Sequence, residues 1–172
     1  MKTVRRLAVI LCFCAGQLPA QITGLQSGIV CPPEPSGFRD APGTISGQTH
    51  LLDSEPPFVS TDNRVPAVLG VGFGVKTRAS PGSGIDVVQI RVSHPPMGTE
   101  RVREQRFLSV IGAEETAFVF FQFDYPYELV TGDWRIAAYD GDRMLFDETF
   151  VVVDPDQVPQ LADICDFRDL LS

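Results

Sequence analysis

The chain has 172 residues, with fourteen basic against twenty-two acidic side chains and a formal net charge of −8. That length suits one domain with a sizeable core. The acidic balance argues against nucleic acid as a partner, because phosphate binding needs clustered positive charge.

Residues 1–20 read as a secretory signal that is removed. Lys2, Arg5 and Arg6 precede an apolar run from Leu7 to Ala15, too short to span a bilayer, and Leu18-Pro19-Ala20 offers a cleavage site. The mature chain then begins at Gln21, and losing three basic residues takes its net charge to −11. Leu11 before Cys12 and Phe13 before Cys14 do not supply the small residue a lipid anchor requires, so no membrane anchor is expected. The expected location is periplasmic or secreted. Residues 21–172 are expected to form a single β-sandwich domain.

Cleavage leaves two cysteines, Cys31 and Cys165. In an oxidising compartment the simplest reading is one disulfide closing nearly the whole domain, worth roughly 3–5 kcal/mol on a chain-entropy argument. Neither cysteine has a second one in Cys-x-x-Cys spacing, which weighs against a metal or a reactive thiol.

Short apolar runs separated by turn residues then predict strands over 22–30, 44–52, 67–78, 85–94, 103–111, 117–124, 133–139 and 144–153. Helical periodicity is almost absent until the tail, where Asp154 or Asp156 is placed to cap a short turn with Val158, Leu161 and Cys165 on one face. The fold class is therefore all-β: an antiparallel sandwich of about seven to nine strands with a short C-terminal helical turn.

The segment Gly132 to Val153 predicts a hairpin in which Trp134 and Ile136 point inward and Arg135 outward. A two-residue Asp140-Gly141 turn would pair Ile136 with Leu145 but set Trp134 against Asp147. A three-residue loop, Asp140 to Asp142, pairs Ile136 with Phe146 and Ala138 with Met144, and is preferred although it sets Glu148 against Trp134.

The run Leu129-Val130-Thr131-Gly132-Asp133-Trp134-Arg135-Ile136, followed by Phe150-Val151-Val152-Val153, resembles the last hairpin of bacterial immunoglobulin-like domains. Gly28 to Cys31, Val65 to Gly74, His94-Pro95-Pro96 and Asp163 to Asp166 resemble a family of small secreted bacterial proteins built on one immunoglobulin-like domain of unknown function. The resemblance implies a single exported domain and carries no catalytic residues with it.

Little in the chain points to chemistry. Gly70, Gly72 and Gly74 alternate with Val71, Phe73 and Val75, leaving one bare strand face that is either a packing surface or a docking platform; packing is favoured. The spacing is not that of a nucleotide-binding loop. Ser83 between Gly82 and Gly84 reads as a turn residue rather than a nucleophile. His50 and His94 are the only histidines, and they offer no recognised metal spacing. The pairs Glu114/Glu115, Asp140/Asp142 and Asp154/Asp156 read as solvated loop charge.

No catalytic, cofactor-binding or metal-binding residues are expected. Arg91, Arg101, Arg103 and Arg106 concentrate four guanidinium groups in an otherwise acidic chain, and with a bulge before Arg106 they would form one patch accepting a partner's carboxylates. The expected function is a non-catalytic exported module that binds an envelope or secreted protein or a ligand. The alternative is a small periplasmic hydrolase or metal-dependent enzyme using His50 or His94.

Overall fold

The structure, a computed structural model, describes residues 21–31 and 35–171. The signal-peptide reading concerns residues 1–20 and lies outside them. Ten strands form a β-sandwich: β1 Ile22–Val30, β2 Gly37–Asp40, β3 Gln48–Leu51, β4 Arg64–Pro66, β5 Gly72–Ala79, β6 Val87–Met97, β7 Val102–Val110, β8 Ala117–Gln122, β9 Gly132–Asp140 and β10 Arg143–Val153. A three-stranded sheet in the order β1-β5-β8 faces a five-stranded sheet in the order β4-β10-β9-β6-β7, and β2 pairs with β3 as a separate hairpin.

Strand alternation builds the core. Ile29, Phe73, Val75, Val119 and Phe123 come from the smaller layer, and Ile90, Val92, Trp134, Ile136, Ala138, Phe146, Phe150 and Val152 from the larger. Trp134 is fully buried, meets Phe73 edge-on at 5.6 Å and donates its indole N–H to the Val130 carbonyl at 3.0 Å. The inward placement of Trp134 and Ile136 is as the alternation requires.

The hairpin itself follows neither expected register. Asp140 faces Arg143 across a two-residue Gly141-Asp142 turn, and a bulge between Met144 and Phe146 then shifts the ladder so that Phe146 faces Ala138, Glu148 faces Ile136 and Phe150 faces Trp134. Gly141 takes φ +60°, the left-handed conformation such a turn needs. The bulge inserts one residue on β10 and sets Phe150 across from Trp134, where both rings pack on Phe73, a pairing neither expected register offers.

Three further expectations are corrected. Two short strands, β2 and β4, fall outside the expected ranges; β2 has four residues, and β4 has three and ends in Pro66. The sandwich is not wholly antiparallel, because β4 runs parallel to β10 at the edge of the larger sheet, where a strand can end in proline. The tail is a series of 3₁₀ turns beginning at Pro155, Pro159 and Arg168, and Asp154 precedes the first without a side-chain capping bond. Val158, Leu161, Ala162 and Phe167 nevertheless bury against the core.

Cys31 at the end of β1 and Cys165 in the tail form a disulfide, with Cα atoms 5.3 Å apart and 134 residues of separation. It ties the tail to the first strand.

Candidate functional site

The glycine stripe is divided. Gly70 lies outside the strand, exposed, at φ +82°. Gly72 and Gly74 are buried on β5, opposite Val30 and Gly28 of β1. A Cβ on Gly74 would lie 2.6 Å from the Cβ of Phe120, and one on Gly72 would lie 3.0 Å from the Phe121 carbonyl oxygen. The bare face is covered: Phe58 and Ser60 cross it at Gly28. Lys76 continues the same face, its Nζ bonded to Glu55 at 2.8 Å and to the Pro56 carbonyl, 4.4 Å from the Phe58 ring centre. This surface is packing.

The two histidines differ in role. His94 is 5% exposed and packs against Trp134, with ring centres 4.8 Å apart and planes tilted by 36°. Its Nδ1 lies 2.8 Å from the Pro95 carbonyl and its Nε2 3.2 Å from the Gln105 amide nitrogen, the pattern of a neutral ring that donates at Nδ1 and accepts at Nε2. Desolvation lowers its pKa, against the pull of the Pro95 carbonyl. His50, on β3, pairs through Nε2 with Asp124 at 3.0 Å and packs against Phe38 and Phe120. Both side chains hold segments together. Among the described residues no three His, Cys, Asp or Glu side chains converge as a metal site. Ser83 is a turn residue, its Oγ accepting the Ile85 N–H.

One titratable group escaped the sequence reading. Glu128 closes a 3₁₀ turn over Pro126–Glu128 and is only 4% exposed. Its Oε2 accepts the backbone N–H groups of Asp124 and Tyr125 at 2.7 and 3.0 Å. Burial pushes its pKa up to about 7, those two bonds pull it down, the Asp124 charge raises it and His50 lowers it. A signal was present in Asp124-Tyr125-Pro126-Tyr127-Glu128: proline at the first position of a turn and glutamate at the third mark a helix start.

The arginines divide into two groups. Arg91 and Arg106 are cross-strand partners on the outer face of β6 and β7, Arg91 lying 4.1 Å over the Tyr139 ring and Arg106 bonded to Glu104. Arg103 falls on the opposite face by strand alternation, and Arg101 sits in the turn before β7 at φ +53°. The register is unbroken from Glu104 to Val110, so there is no bulge before Arg106. The irregularity lies instead between Ser93 and Met97, where Pro95 and Pro96 have no N–H to give to the ladder.

The outer face that carries Arg91 and Arg106 continues as Gln89 beside Leu108, then Val87 beside Val110. Val87, Leu108 and Val110 are 54%, 60% and 53% exposed. The free edge of β7 is partly occupied: Arg106 donates its N–H to the Gly43 carbonyl, and Arg39 Nη2 donates to the Leu108 carbonyl at 2.9 Å. Such cover limits strand-to-strand aggregation while leaving the sheet face open.

Residues 21–152 match the family described as "Domain of unknown function (DUF3859)". The chain belongs to this family. In this DUF3859 member the matched segment begins at Gln21, and Cys165 with the 3₁₀ tail lies beyond it. The chain is also similar to a crystal structure of an immunoglobulin-like protein from Pseudomonas aeruginosa, at 24% identity and a TM-score of 0.50, covering 80% of this chain and 99% of that one. The likeness shows an immunoglobulin-like fold. No curated protein matches the chain.

Proposed function

We propose that this DUF3859 domain is an exported, non-catalytic module that binds another protein of the envelope or secreted space through the outer face of β6 and β7. The observation that carries the reading is the continuity of that face, which runs from the exposed Val87, Leu108 and Val110 to the facing pair Arg91 and Arg106. An apolar patch next to guanidinium groups suits a partner surface that presents aliphatic side chains beside carboxylates. Arg101 and Arg103, off this face, extend the positive charge toward its end. Export is supported by the Cys31–Cys165 disulfide, which persists in oxidising compartments. No helix among the described residues is long and apolar enough to cross a membrane.

A photo-crosslinking residue placed at Leu108 in the native host tests the surface, with Met144 at the β9–β10 hairpin, 54% exposed, as the control position. A discrete adduct from position 108, absent from 144 and lost when Arg91→Glu and Arg106→Glu are added to a folded protein, is the expected result. Equal labelling from both positions, or none from 108, overturns the assignment of this face.

A further inference from the structure

A chain of three hydrogen bonds joins the core to the turn of the β2–β3 hairpin, residues 41–47. The Ile45 N–H donates to Gln105 Oε1 at 2.8 Å, Gln105 Nε2 lies 3.2 Å from His94 Nε2, and His94 Nδ1 lies 2.8 Å from the Pro95 carbonyl. Each link fixes the next. A backbone N–H only donates, so Oε1 must face Ile45; the Gln105 NH₂ then faces His94, whose Nε2 must accept. His94 and Gln105 are 5% and 3% exposed, so water does not readily replace a lost partner. The turn is also held within itself, Ala41 donating to the Gly47 carbonyl and Thr44 to that of Ala41. Beside Ile45, the Gly43 carbonyl accepts the Arg106 N–H at 2.9 Å, and Gly43 walls a concavity of about 480 Å³ together with Arg106, Val87, Leu108 and Val110.

We propose that protonation of His94 releases the β2–β3 turn from β7 and thereby weakens partner binding at the outer face of β6 and β7. An imidazolium donates from both nitrogens, so Nε2 would point a donor at the Gln105 NH₂. Turning the amide over restores that bond but sets its NH₂ against the Ile45 N–H. The turn is what yields, because the Ile45 N–H reaches water once it leaves β7, whereas His94 stays packed on Trp134. Around the ring, β9 presents Trp134, β7 presents Gln105 and its own strand presents the Pro95 carbonyl. Glu104 and Arg106, flanking Gln105, and Asp133 and Arg135, flanking Trp134, are exposed on the other face of their strands. Burial lowers the His94 pKa from 6.5 with no charged group contributing, so release sets in below that value. Each pH unit there shifts the equilibrium by about tenfold at most, the limit for one proton. The effect on binding rests on the assignment of that face to a partner; the release does not.

The protein purified from its host is followed by NMR as pH falls through 6.5. His94 is read from its ring Cε1–H, the turn from exchange protection at the Ile45 and Arg106 amides corrected for intrinsic exchange, and global opening from Ile136. Protection at Ile45 and Arg106 is expected to fall with the titration of His94 while that of Ile136 holds. Gln105→Met removes both side-chain bonds, so it should lower Ile45 protection about two- to tenfold at every pH and abolish the pH step. Gln105→Glu supplies a carboxylate that accepts from Ile45 and from the imidazolium at once, so it should raise the His94 pKa and keep the turn docked. Ile45 protection that ignores the titration of His94, loss at Ile136 in step with Ile45, or equal release in Gln105→Glu and the parent overturns the proposal. A Leu108 crosslink of equal yield with the turn docked and released overturns its regulatory half. No crosslink at any pH counts against the assignment of the face and not against the release.

Discussion

Gly74 on β5 lies against Phe120 on β8 so closely that no side chain fits between them. A methyl group there would press on backbone as well as on the phenyl-bearing carbon, and backbone has little room to yield. Gly74→Ala is expected to destabilise the domain by about 2–3 kcal/mol, read from urea unfolding. Gly70→Ala, where nothing lies within 4 Å and only the φ of +82° opposes a side chain, should cost about 1 kcal/mol. Equal costs would mean that close packing is not what the β5 glycine provides.

The Cys31–Cys165 bond should appear as a mass two hydrogens below that of the dithiol under non-reducing conditions, with neither Cys31 nor Cys165 open to alkylation. Cys31→Ser with Cys165→Ser is expected to lower stability by about 2–5 kcal/mol. The first measurable change should be release of the tail, seen as early proteolysis beyond Val153.

Glu128 makes stability fall as pH rises. Its folded pKa of about 7 stands above the ordinary value of 4.5, so between those two values the folded state holds a proton that the unfolded state has lost. The group's contribution is complete below about 4.5, is lost progressively up to about 7 and changes little beyond. The whole effect is about 3 kcal/mol at most, taking 1.36 kcal/mol per pKa unit. Glu128→Gln, which has no proton to lose, should flatten the stability–pH curve in this window. Glu128 interacts electrostatically with Asp124, His50 and Tyr127, so the difference between parent and variant is the quantity to measure.

His94 acts in the opposite direction. A buried imidazole with a lowered pKa favours folding while neutral, and that contribution is lost as pH falls below its unfolded value of 6.5 and through the folded one. His94→Ala also removes the ring packed against Trp134 and leaves the Gln105 Nε2 without its His94 partner, so it should destabilise the domain by about 2–4 kcal/mol. Any loss of binding in that variant must therefore be read against its melting temperature. A melt unchanged from the parent would show that the ring does not hold β6 to the core.

Lys76 is held by Glu55, the Pro56 carbonyl and two phenyl rings. Lys76→Ala should loosen the segment that crosses β1 and β5, with faster hydrogen exchange at Val59, whose N–H donates to the Ile29 carbonyl, and at Ile29, whose N–H donates to the Ser60 carbonyl. Unaltered exchange would place the anchoring of that segment elsewhere.

Periodicity in the sequence determined the sandwich, the inward direction of Trp134 and Ile136 and the limits of β1, β7, β9 and β10 to within one residue, because alternation along a half-buried strand is a local property; β5 starts five residues later and β6 ends three residues later than their apolar runs suggest. The cysteine pair was legible for a different reason: only two lie beyond the N-terminal stretch that reads as a signal. What escaped depended on partners distant in sequence. The three-residue β4 exists because β10 offers it an edge, and the bulge in β10 sets Phe150 across the ladder from Trp134, where both rings pack on Phe73. The split of the four arginines follows from the register of β7 against β6, which a strand's own residues do not specify. The pairing of His50, on the β2–β3 hairpin, with Asp124 beside the buried Glu128 depends on that hairpin reaching the end of β8. Only the tertiary structure decides such contacts, because burial and hydrogen bonding are set by neighbours that the chain brings together from far apart.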